Sequence, residues 1–239
     1  MKRLVPLLLL AGCITETGNP ELVVDVALLA ASTARTIATV APDTEPGSIT
    51  VDGAWVRIDK VRLVTGTACD APGEMEQDLP GLGVVDLASG TPAVTSGAAT
   101  EDDYCRIRVR LQRGDAGEGP EGFEDHSLLL TGTTAGGASF RLRSRDEPDI
   151  DVRSRGEPFT LDEGRADLVL AFDVGVWLDG IDLDSGEAEG DGTILVDEDH
   201  NRDLLDAFED RLDAALELYD DEDGNREVDE DDDLLATSG

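Results

Sequence analysis

Apolar and polar residues alternate with a period of two along most of the chain from residue 21 to residue 197. In the segment 105–111, for example, Ile107, Val109 and Leu111 fall on one side and three arginines on the other. Such alternation is typical of β-strands that bury one face. Because it recurs in many short segments, it predicts a mainly β domain over 21–197, built as an antiparallel two-sheet β-sandwich.

The segments that carry the strand pattern are 22–30, 54–63, 82–87, 105–111, 127–130, 140–143, 167–178 and 193–196. The parity of the apolar positions slips within 54–63, so we expect a β-bulge near Asp59 and Lys60. The Gly-, Ser- and Pro-rich segments 88–100 and 114–122 are predicted to be loops.

After residue 200 the spacing of apolar residues changes to about 3.6, the period of an α-helix. The apolar positions in 201–219 are Leu204, Leu205, Phe208, Leu212, Leu216 and Tyr219. They predict an amphipathic helix whose apolar stripe docks on the sheet, with Asp199 or Asn201 as its N-cap. Residues 198–239 are therefore expected to be this helix followed by an acidic segment.

The first residues have the pattern of a bacterial export signal. Lys2 and Arg3 precede the apolar run 4–10, which is far shorter than the about 20 residues that a membrane-spanning helix needs. Residues 10–13, Leu-Ala-Gly-Cys, resemble the lipobox of bacterial lipoproteins. The resemblance implies that residues 1–12 are cleaved off and that Cys13 becomes a diacylated N-terminus anchored in a membrane. An ordinary secretory signal with an accidental cysteine is the alternative.

The residues after Cys13 refine the expected location. By the sorting rule of Gram-negative lipoproteins, Ile14 rather than Asp after the cysteine implies the outer membrane. Residues 13–20 are mostly small and polar and include a glycine and a proline, which predicts a short tether between the lipid and the domain.

The remaining cysteines form a pair. With Cys13 lipidated, Cys69 and Cys105 are left in an oxidising compartment, where a disulfide between them is expected. A metal site made from two cysteines without a nearby histidine is the weaker alternative.

The net charge restricts the partners. The 239 residues include 54 acidic and 19 basic side chains, which gives a formal net charge of −35. This charge excludes nucleic acid as a partner and favours cations and basic partners, although adaptation to high salt would produce the same balance. The arginines that alternate along 105–111 and 140–143 form a stripe. That stripe either binds an anionic polymer, such as a sulfated or carboxylated glycan, or pairs with the protein's own carboxylates; the excess of acids favours pairing.

The order of several motifs resembles a bacterial lipoprotein family whose domain has no known function. These motifs are the lipobox, the Thr-Gly-Asn-Pro tether at 17–20, the strand pattern at 55–63, the Asp-Leu pair at 86–87, the Tyr-x-x-Ile-Arg-x-x-Leu-like strand at 104–111 and the Phe-Asp pair at 172–173. The resemblance covers residues 13–200 and implies a prealbumin-like or carbohydrate-binding-like sandwich. It implies no catalytic mechanism.

Few residues in the chain could carry out catalysis. His126 and His200 lack metal-ligand spacing, and the sequence contains no nucleophile elbow, zinc-protease helix or phosphate-binding Gly-Lys-Ser/Thr loop. Paired carboxylates could serve a glycosidase, but in so acidic a chain such pairs are not specific. The sequence therefore predicts a protein that is not an enzyme.

The segment 221–232 carries the most specific candidate site. Aligned with the calcium loop of an EF-hand, it places oxygen ligands at the expected positions: Asp221, Asp223, Asn225, the backbone carbonyl of Glu227, Asp229 and Asp232. Three features depart from that loop, because Arg226 replaces the usual glycine, Asp232 replaces the usual glutamate and no exit helix follows. A weak Ca²⁺ site and a solvated acidic tail both remain open. The similar stretch 197–202 places Phe208 in the last ligand position and is predicted to be a helix-capping loop.

Two functions follow from these observations. The first is a non-catalytic, lipid-anchored cell-envelope protein of the outer membrane, stabilised by calcium near its C-terminus. The second is a β-sandwich module that binds a glycan or another surface polymer through its loops or its arginine stripe. Exposed aromatic residues would favour the second, and Trp55 and Trp177 are the only tryptophans.

Overall fold

The structure is a computed structural model, and it describes residues 21–30, 37–38, 48–67, 69, 75–163, 166–229 and 232–239. The predicted signal peptide 1–12, the lipidated Cys13 and the tether 13–20 lie outside these residues. Among the described residues no helix is long and apolar enough to cross a membrane.

The described part of the chain is mainly β, with two short α-helices. The strands are β1 (Glu21–Ala30), β2 (Ile37–Ala38), β3 (Ser48–Thr65), β4 (Glu76–Leu79), β5 (Gly83–Asp86), β6 (Ala93–Thr100), β7 (Asp102–Leu111), β8 (Leu128–Thr133), β9 (Ser139–Ser144), β10 (Asp149–Arg153), β11 (Phe159–Leu161), β12 (Asp167–Phe172), β13 (Ile194–Val196), β14 (Leu216–Asp220) and β15 (Asp233–Thr237). The helices are α1 (Val174–Leu178) and α2 (Arg202–Glu209), and 3₁₀ turns lie at Leu87–Ser89, Leu183–Ser185 and Leu212–Ala214.

The strands form one mixed sheet in the order β13-β9-β8-β3-β7-β10-β15-β14-β12-β1-β6, with β2, β4 and β5 also paired to β3 and β11 paired to β7. Most pairs are antiparallel, but β1 pairs with β12 and β13 pairs with β9 in parallel. The expected purely antiparallel arrangement is therefore wrong, and two separate sheets are not confirmed. The parallel pairs join strands far apart in the sequence, where long connections allow either direction.

The sheet curls around a single apolar core. At one end of the strand order, β6 approaches β4: Gln77 Nε2 donates to Thr100 Oγ1 (2.6 Å), and Thr100 N donates back to Gln77 Oε1 (3.0 Å). Thr95 Oγ1 donates to Pro80 O (2.7 Å) at the same junction. Side chains from nearly all the strands and from both helices belong to one cluster of buried residues. The aliphatic positions predicted from the alternation are the inward-facing ones in β7, where Ile107, Val109 and Leu111 are fully buried.

The predicted β-bulge is confirmed, since the register between β3 and β7 shifts between Ile58 and Lys60. The predicted loop 88–100 is wrong in its second half, which forms β6 beside β1. This strand consists mainly of Ala, Thr, Ser and Gly, so its alternation has little contrast in hydropathy. A Cβ atom at Gly97 would lie 2.6 Å from Leu79 Cδ2, which explains the glycine where β6 faces β4.

The long strand predicted over 167–178 ends at Phe172. The Asp173 side chain accepts hydrogen bonds from Gly175 N (2.9 Å) and Val176 N (3.3 Å), which caps α1 and turns the chain out of the sheet. The turn places Trp177 edge-on to Phe172, with ring centroids 5.9 Å apart. Trp177 is fully buried, so burial of one large aromatic residue outweighs the strand alternation.

The helix predicted over 201–219 is shorter than expected, because α2 ends at Glu209. Leu216 and Leu218 are buried in β14 while Glu217 and Tyr219 face outwards, and β14 pairs with β12 in antiparallel register. The spacing of Leu212, Leu216 and Tyr219 fits a helix, but Leu216 and Leu218 also fit a strand, and the exposed edge of β12 decides between them. The predicted acidic tail likewise contains β15, which pairs with β14.

Candidate functional site

The candidate site lies in the segment 221–232 between β14 and β15, of which the structure describes residues 221–229 and 232. Asp220 and Asp233 face each other at its base in the β14–β15 register. Gly224 and Arg226 adopt left-handed backbone conformations, with φ angles of 71° and 62°. An arginine in this conformation costs about 1 kcal/mol relative to glycine, a cost that the rest of the loop has to offset. The substitution at the sixth position is therefore compatible with the turn that a calcium loop makes there.

Asp221 is the buried anchor of the loop, with 5% of its surface exposed. Its Oδ2 accepts a hydrogen bond from Arg226 N (3.0 Å), whereas its Oδ1 is buried and has no hydrogen-bond partner. Burial raises the pKa of Asp221, against the lowering effect of the backbone N–H groups of Arg226 and Asn225. A buried carboxylate oxygen without a donor is costly, and either a proton or a cation would relieve the cost.

Three of the other predicted ligands lie around the side chain of Asn225. Its Nδ2 donates to Asp223 Oδ2 (3.0 Å) and to Asp229 Oδ2 (3.1 Å). Its Oδ1 accepts from Glu227 N (2.6 Å). The amide NH₂ group thus lies between two carboxylates. The positive end of its dipole faces both of them, as a bound cation would.

Asp232 ties the end of the loop to its beginning. Its Oδ2 accepts from Asp229 N (3.0 Å), and its Oδ1 accepts from Glu222 N (3.4 Å). Its charge also contributes to the raised pKa of Asp221. Val228, the apolar residue at the eighth position of the loop, is half-buried. The structure therefore brings together the predicted residues from Asp221 to Asp232 in one turn of chain.

The side chains in this turn are not arranged as a finished metal site. Among the described residues, no group of three or more His, Cys, Asp or Glu side chains is placed to hold a metal ion. Two of the six predicted ligands are an amide oxygen and a backbone carbonyl, which are not part of such a group. Moreover, Asn225 presents nitrogen rather than oxygen to its acidic neighbours, so cation binding requires this amide to reorient.

The similar stretch that begins at Asp197 differs from the loop in one respect. Asp197 is also buried, but it accepts hydrogen bonds from Arg143 Nη2 (2.7 Å), Arg143 Nε (3.0 Å) and His200 Nδ1 (2.9 Å). Burial alone would raise its pKa, yet these bonds and the Asp199 N–H lower it to about 2. Asn201 precedes α2 at the N-cap position, but its side chain makes no capping bond and binds Glu187 and Leu195 backbone groups instead. The prediction that Asn201 stands at the N-cap of the helix is therefore confirmed, but its side chain does not make the capping hydrogen bond.

The arginine stripe is paired with the protein's own carboxylates. On β10, Asp151 accepts from Arg108 Nε (2.7 Å), Arg153 Nη2 (2.7 Å) and Arg106 Nη1 (3.3 Å). Burial tends to raise the pKa of Asp151, but the hydrogen bonds from Arg108 and Arg153 lower it. On β9, Arg143 is engaged by the buried Asp197. The cross-strand pairing favoured by the sequence is confirmed for these arginines.

The other sequence-predicted features have clear places. Cys69 and Cys105 form the predicted disulfide, with Cα atoms 5.0 Å apart. Trp177 is buried, while Trp55 is half-buried beside Gly53, where a Cβ atom would lie 2.0 Å from the indole ring. His126 is buried with its Nδ1 against Glu124 O (2.7 Å). Burial lowers the pKa of His126 and favours its neutral form.

In comparisons with known proteins, no family model, no curated protein and no solved structure matches the chain.

Proposed function

We propose that the protein is a non-catalytic, lipid-anchored component of the cell envelope whose C-terminal hairpin loop binds calcium. The observation that carries the calcium site is the buried, unpartnered Oδ1 of Asp221, at the base of a loop with oxygen ligands at calcium spacing. The ligands would be side-chain oxygens of Asp221, Asp223, Asn225, Asp229 and Asp232 and the backbone oxygen of Glu227. Bound calcium would supply positive charge to the Asp221 carboxylate, which receives none from a side chain within the described part of the chain.

The envelope location is supported by two independent features. The lipobox-like Leu-Ala-Gly-Cys at 10–13 provides a site for diacylation, and two acyl chains are enough for stable membrane anchoring. The Cys69–Cys105 disulfide belongs to an oxidising compartment such as the periplasm or the cell exterior. In this proposal the protein is an outer-membrane lipoprotein, and its curled sheet is a sandwich-like scaffold around the shared core.

The alternative function, binding of a glycan or other surface polymer, has less support. Arg106, Arg108 and Arg143 are occupied by carboxylates, so an anionic polymer would have to displace them. Trp177 is buried, which leaves only the half-buried Trp55 among the tryptophans for stacking on a sugar.

The calcium site is tested by thermal unfolding in Ca²⁺ and in Mg²⁺ at matched ionic strength. Matching is necessary because any salt screens the repulsion within a chain of net charge −35. We expect a Kd on the order of 10⁻⁴–10⁻³ M, since Asp232 is short and no exit helix follows. Calcium at about ten times Kd then adds about 1.4 kcal/mol to the free energy of unfolding. Magnesium adds less, because it needs near-ideal octahedral oxygens and retains its water.

Two double variants distinguish the loss of calcium ligands from the loss of negative charge. Asp221→Ala with Asp223→Ala removes two predicted ligands, and Glu222→Ala with Glu227→Ala removes two charges from the same loop without removing a side-chain ligand. We expect only the first pair to abolish the preference for calcium over magnesium. The loop would be a solvated acidic segment if calcium and magnesium shift the melting temperature of wild type equally and if the Asp221→Ala, Asp223→Ala variant shows the same two shifts.

The lipid anchor is tested by membrane fractionation of Cys13→Ser. The variant should move from the membrane to the soluble fraction, because the acyl chains are the proposed attachment. A variant that stays with the membrane, and is still extracted only by detergent, would contradict the anchor.

A further inference from the structure

The first and last predicted calcium ligands come from opposite sides of the hairpin. Asp221 follows directly after β14, and Asp232 directly precedes β15. A cation bound by both would therefore connect the end of one strand to the beginning of the other. Among the described residues the two are linked indirectly, through the 3.4 Å hydrogen bond from Glu222 N to Asp232 Oδ1.

The strand that this connection would hold lies at a junction of the sheet. In the strand order, β15 stands between β10 and β14. Its register with β10 consists of the single pair Arg153 and Thr237, whereas its register with β14 has four pairs and a shift between Leu218 and Tyr219. The sheet is therefore continuous from β10 through β15 to β14 only while β15 stays paired with β14.

The contacts of β15 with the rest of the protein are modest. Ala236 is its one fully buried apolar residue, while Leu234 is 52% exposed. Ser238 just beyond the strand exchanges hydrogen bonds with Leu216, from Ser238 N to Leu216 O and from Leu216 N to Ser238 Oγ, both at 2.8 Å. The far end of the strand is thus secured by hydrogen bonds and the middle by Ala236 and the partly buried Leu235, whereas Asp233 and Leu234 at the end near the loop are exposed.

Carboxylates are concentrated at the end of β15 near the loop. Asp220 and Asp233 are partners in the strand register. Asp221 and Asp232 add two carboxylates at the same place, and the buried Oδ1 of Asp221 has no donor. A divalent cation at this position would turn repulsion between the two strands into shared coordination.

We infer that calcium bound to the loop 221–232 acts as a clasp that holds β15 in the sheet, so that loss of calcium releases this strand from β14. The inference rests on the calcium site proposed above and adds a structural consequence of its occupancy. The ligand is Ca²⁺ at the concentrations of an extracytoplasmic space, and the element that it controls is the strand from Asp233 to Thr237.

Hydrogen exchange on the mature protein tests the clasp, with isothermal titration of calcium chloride measured in parallel. If calcium binds only the docked form, the exchange of amides in 233–237 slows by about tenfold at calcium about ten times Kd. Amides in β8 and β9, on the far side of the strand order, serve as the internal reference and should not change. Asp232→Ala removes the last ligand and should abolish the slowing, whereas Glu222→Ala removes an equal charge from an exposed neighbour and should retain it.

The two measurements separate the clasp from the site. The clasp would be overturned, and the site would stand, if calcium binds wild type in the titration, does not bind Asp232→Ala, and leaves the exchange of 233–237 unchanged. Uniform slowing of all amides, β8 and β9 included, would also overturn it, because calcium would then act on global stability. If wild-type protein does not bind calcium at all, the site itself fails and the clasp fails with it.

Discussion

Replacing Asn225 by Asp should destabilise the protein in the absence of calcium, and added calcium should remove most of that destabilisation. Without calcium, the Asn225 amide donates to Asp223 (3.0 Å) and Asp229 (3.1 Å), so its NH₂ group holds two carboxylates together. Aspartate cannot donate these bonds and brings a third negative charge between the same two neighbours. With calcium, the same aspartate offers a charged oxygen ligand in place of a neutral one.

The size of both effects follows from these contacts. The loop is exposed at residues 222–227, so the two lost hydrogen bonds together contribute about 1 kcal/mol, and repulsion from the two carboxylates adds about 1 kcal/mol at high dielectric. In a domain of this size, that loss lowers the melting temperature by about 4–8 °C. With calcium, we expect the additional ligand charge to tighten binding by about tenfold, or about 1.4 kcal/mol.

The assay is thermal unfolding of wild type and Asn225→Asp, first with a chelator and then across a calcium titration at constant ionic strength. The variant should be less stable than wild type in the chelator and should recover most of the difference at high calcium. Asn201→Asp is the matched control, because Asn201 occupies the equivalent position in the similar stretch and donates to the backbone oxygens of Glu187 and Leu195. It should be destabilised equally with and without calcium.

One outcome would refute the reasoning about the loop. If Asn225→Asp is destabilised to the same extent at every calcium concentration, as the control is, residue 225 is not a ligand. The NH₂ group would then be a permanent internal donor of the loop.

Three further predictions concern other groups. Asp197→Asn should lower the free energy of unfolding by about 2 kcal/mol at neutral pH. Because the folded-state pKa of Asp197 is lowered to about 2, its stabilisation is present above about pH 4 and lost as the pH falls towards 2, so the difference from wild type in urea unfolding should close over that range. Calcium affinity, measured by titration, should fall on acidification earlier than for an ordinary aspartate site, since burial raises the pKa of Asp221 and protonation competes with the metal. Replacing Cys69 and Cys105 by serine should cost about 3–4 kcal/mol of unfolding free energy for a sequence separation of 36; the same protein with both cysteines, unfolded without reductant, should show no titratable thiol from either, and two such thiols would contradict the bond.

The parts of the fold that were predictable from the sequence are those with strong contrast between the two faces of a strand. The alternation of aliphatic residues and arginines in β7 and β9 identified both strands and their buried faces. The disulfide followed from the interpretation of Cys69 and Cys105 as a pair of cysteines in a chain that we expect to be exported. The pairing of strands did not follow, because alternation specifies which face is buried and not which neighbour a strand takes. The parallel pairing of β1 with β12 is of this kind.

Where the local pattern fits two structures, a distant contact decides between them. In 216–220, both a helix and a strand would bury Leu216, and pairing with β12 selects the strand. In 173–178, the alternation favours a strand, but the Asp173 cap and the contacts of Trp177 with Phe172 and Phe208 select a helix. Both β12 and Phe208 lie far along the sequence from the segments whose structure they determine, so the local pattern of residues does not include them.

The two similar stretches that begin at Asp197 and Asp221 show the same limit in the chemistry of the candidate site. Each begins with a buried aspartate, and the sequence gives no reason to expect different partners for them. Arg143 from β9 reaches Asp197, whereas Arg226, within the loop itself, lies 3.9 Å from Asp25 and gives Asp221 only its backbone N–H.

That difference follows from the distribution of positive charge. The chain has 19 basic residues for 54 acidic ones, and beyond Arg211 the only basic residue is Arg226. The arginines are concentrated on the β7, β9 and β10 strands, where they neutralise the carboxylates that face them. The β14–β15 hairpin itself contains one basic side chain, Arg226, and its base buries Asp220 and Asp221. Among the described residues, Asp221 accepts a hydrogen bond from the Arg226 backbone and its Oδ1 accepts none. In the calcium proposal, the cation bound by the loop supplies the counter-charge to this carboxylate.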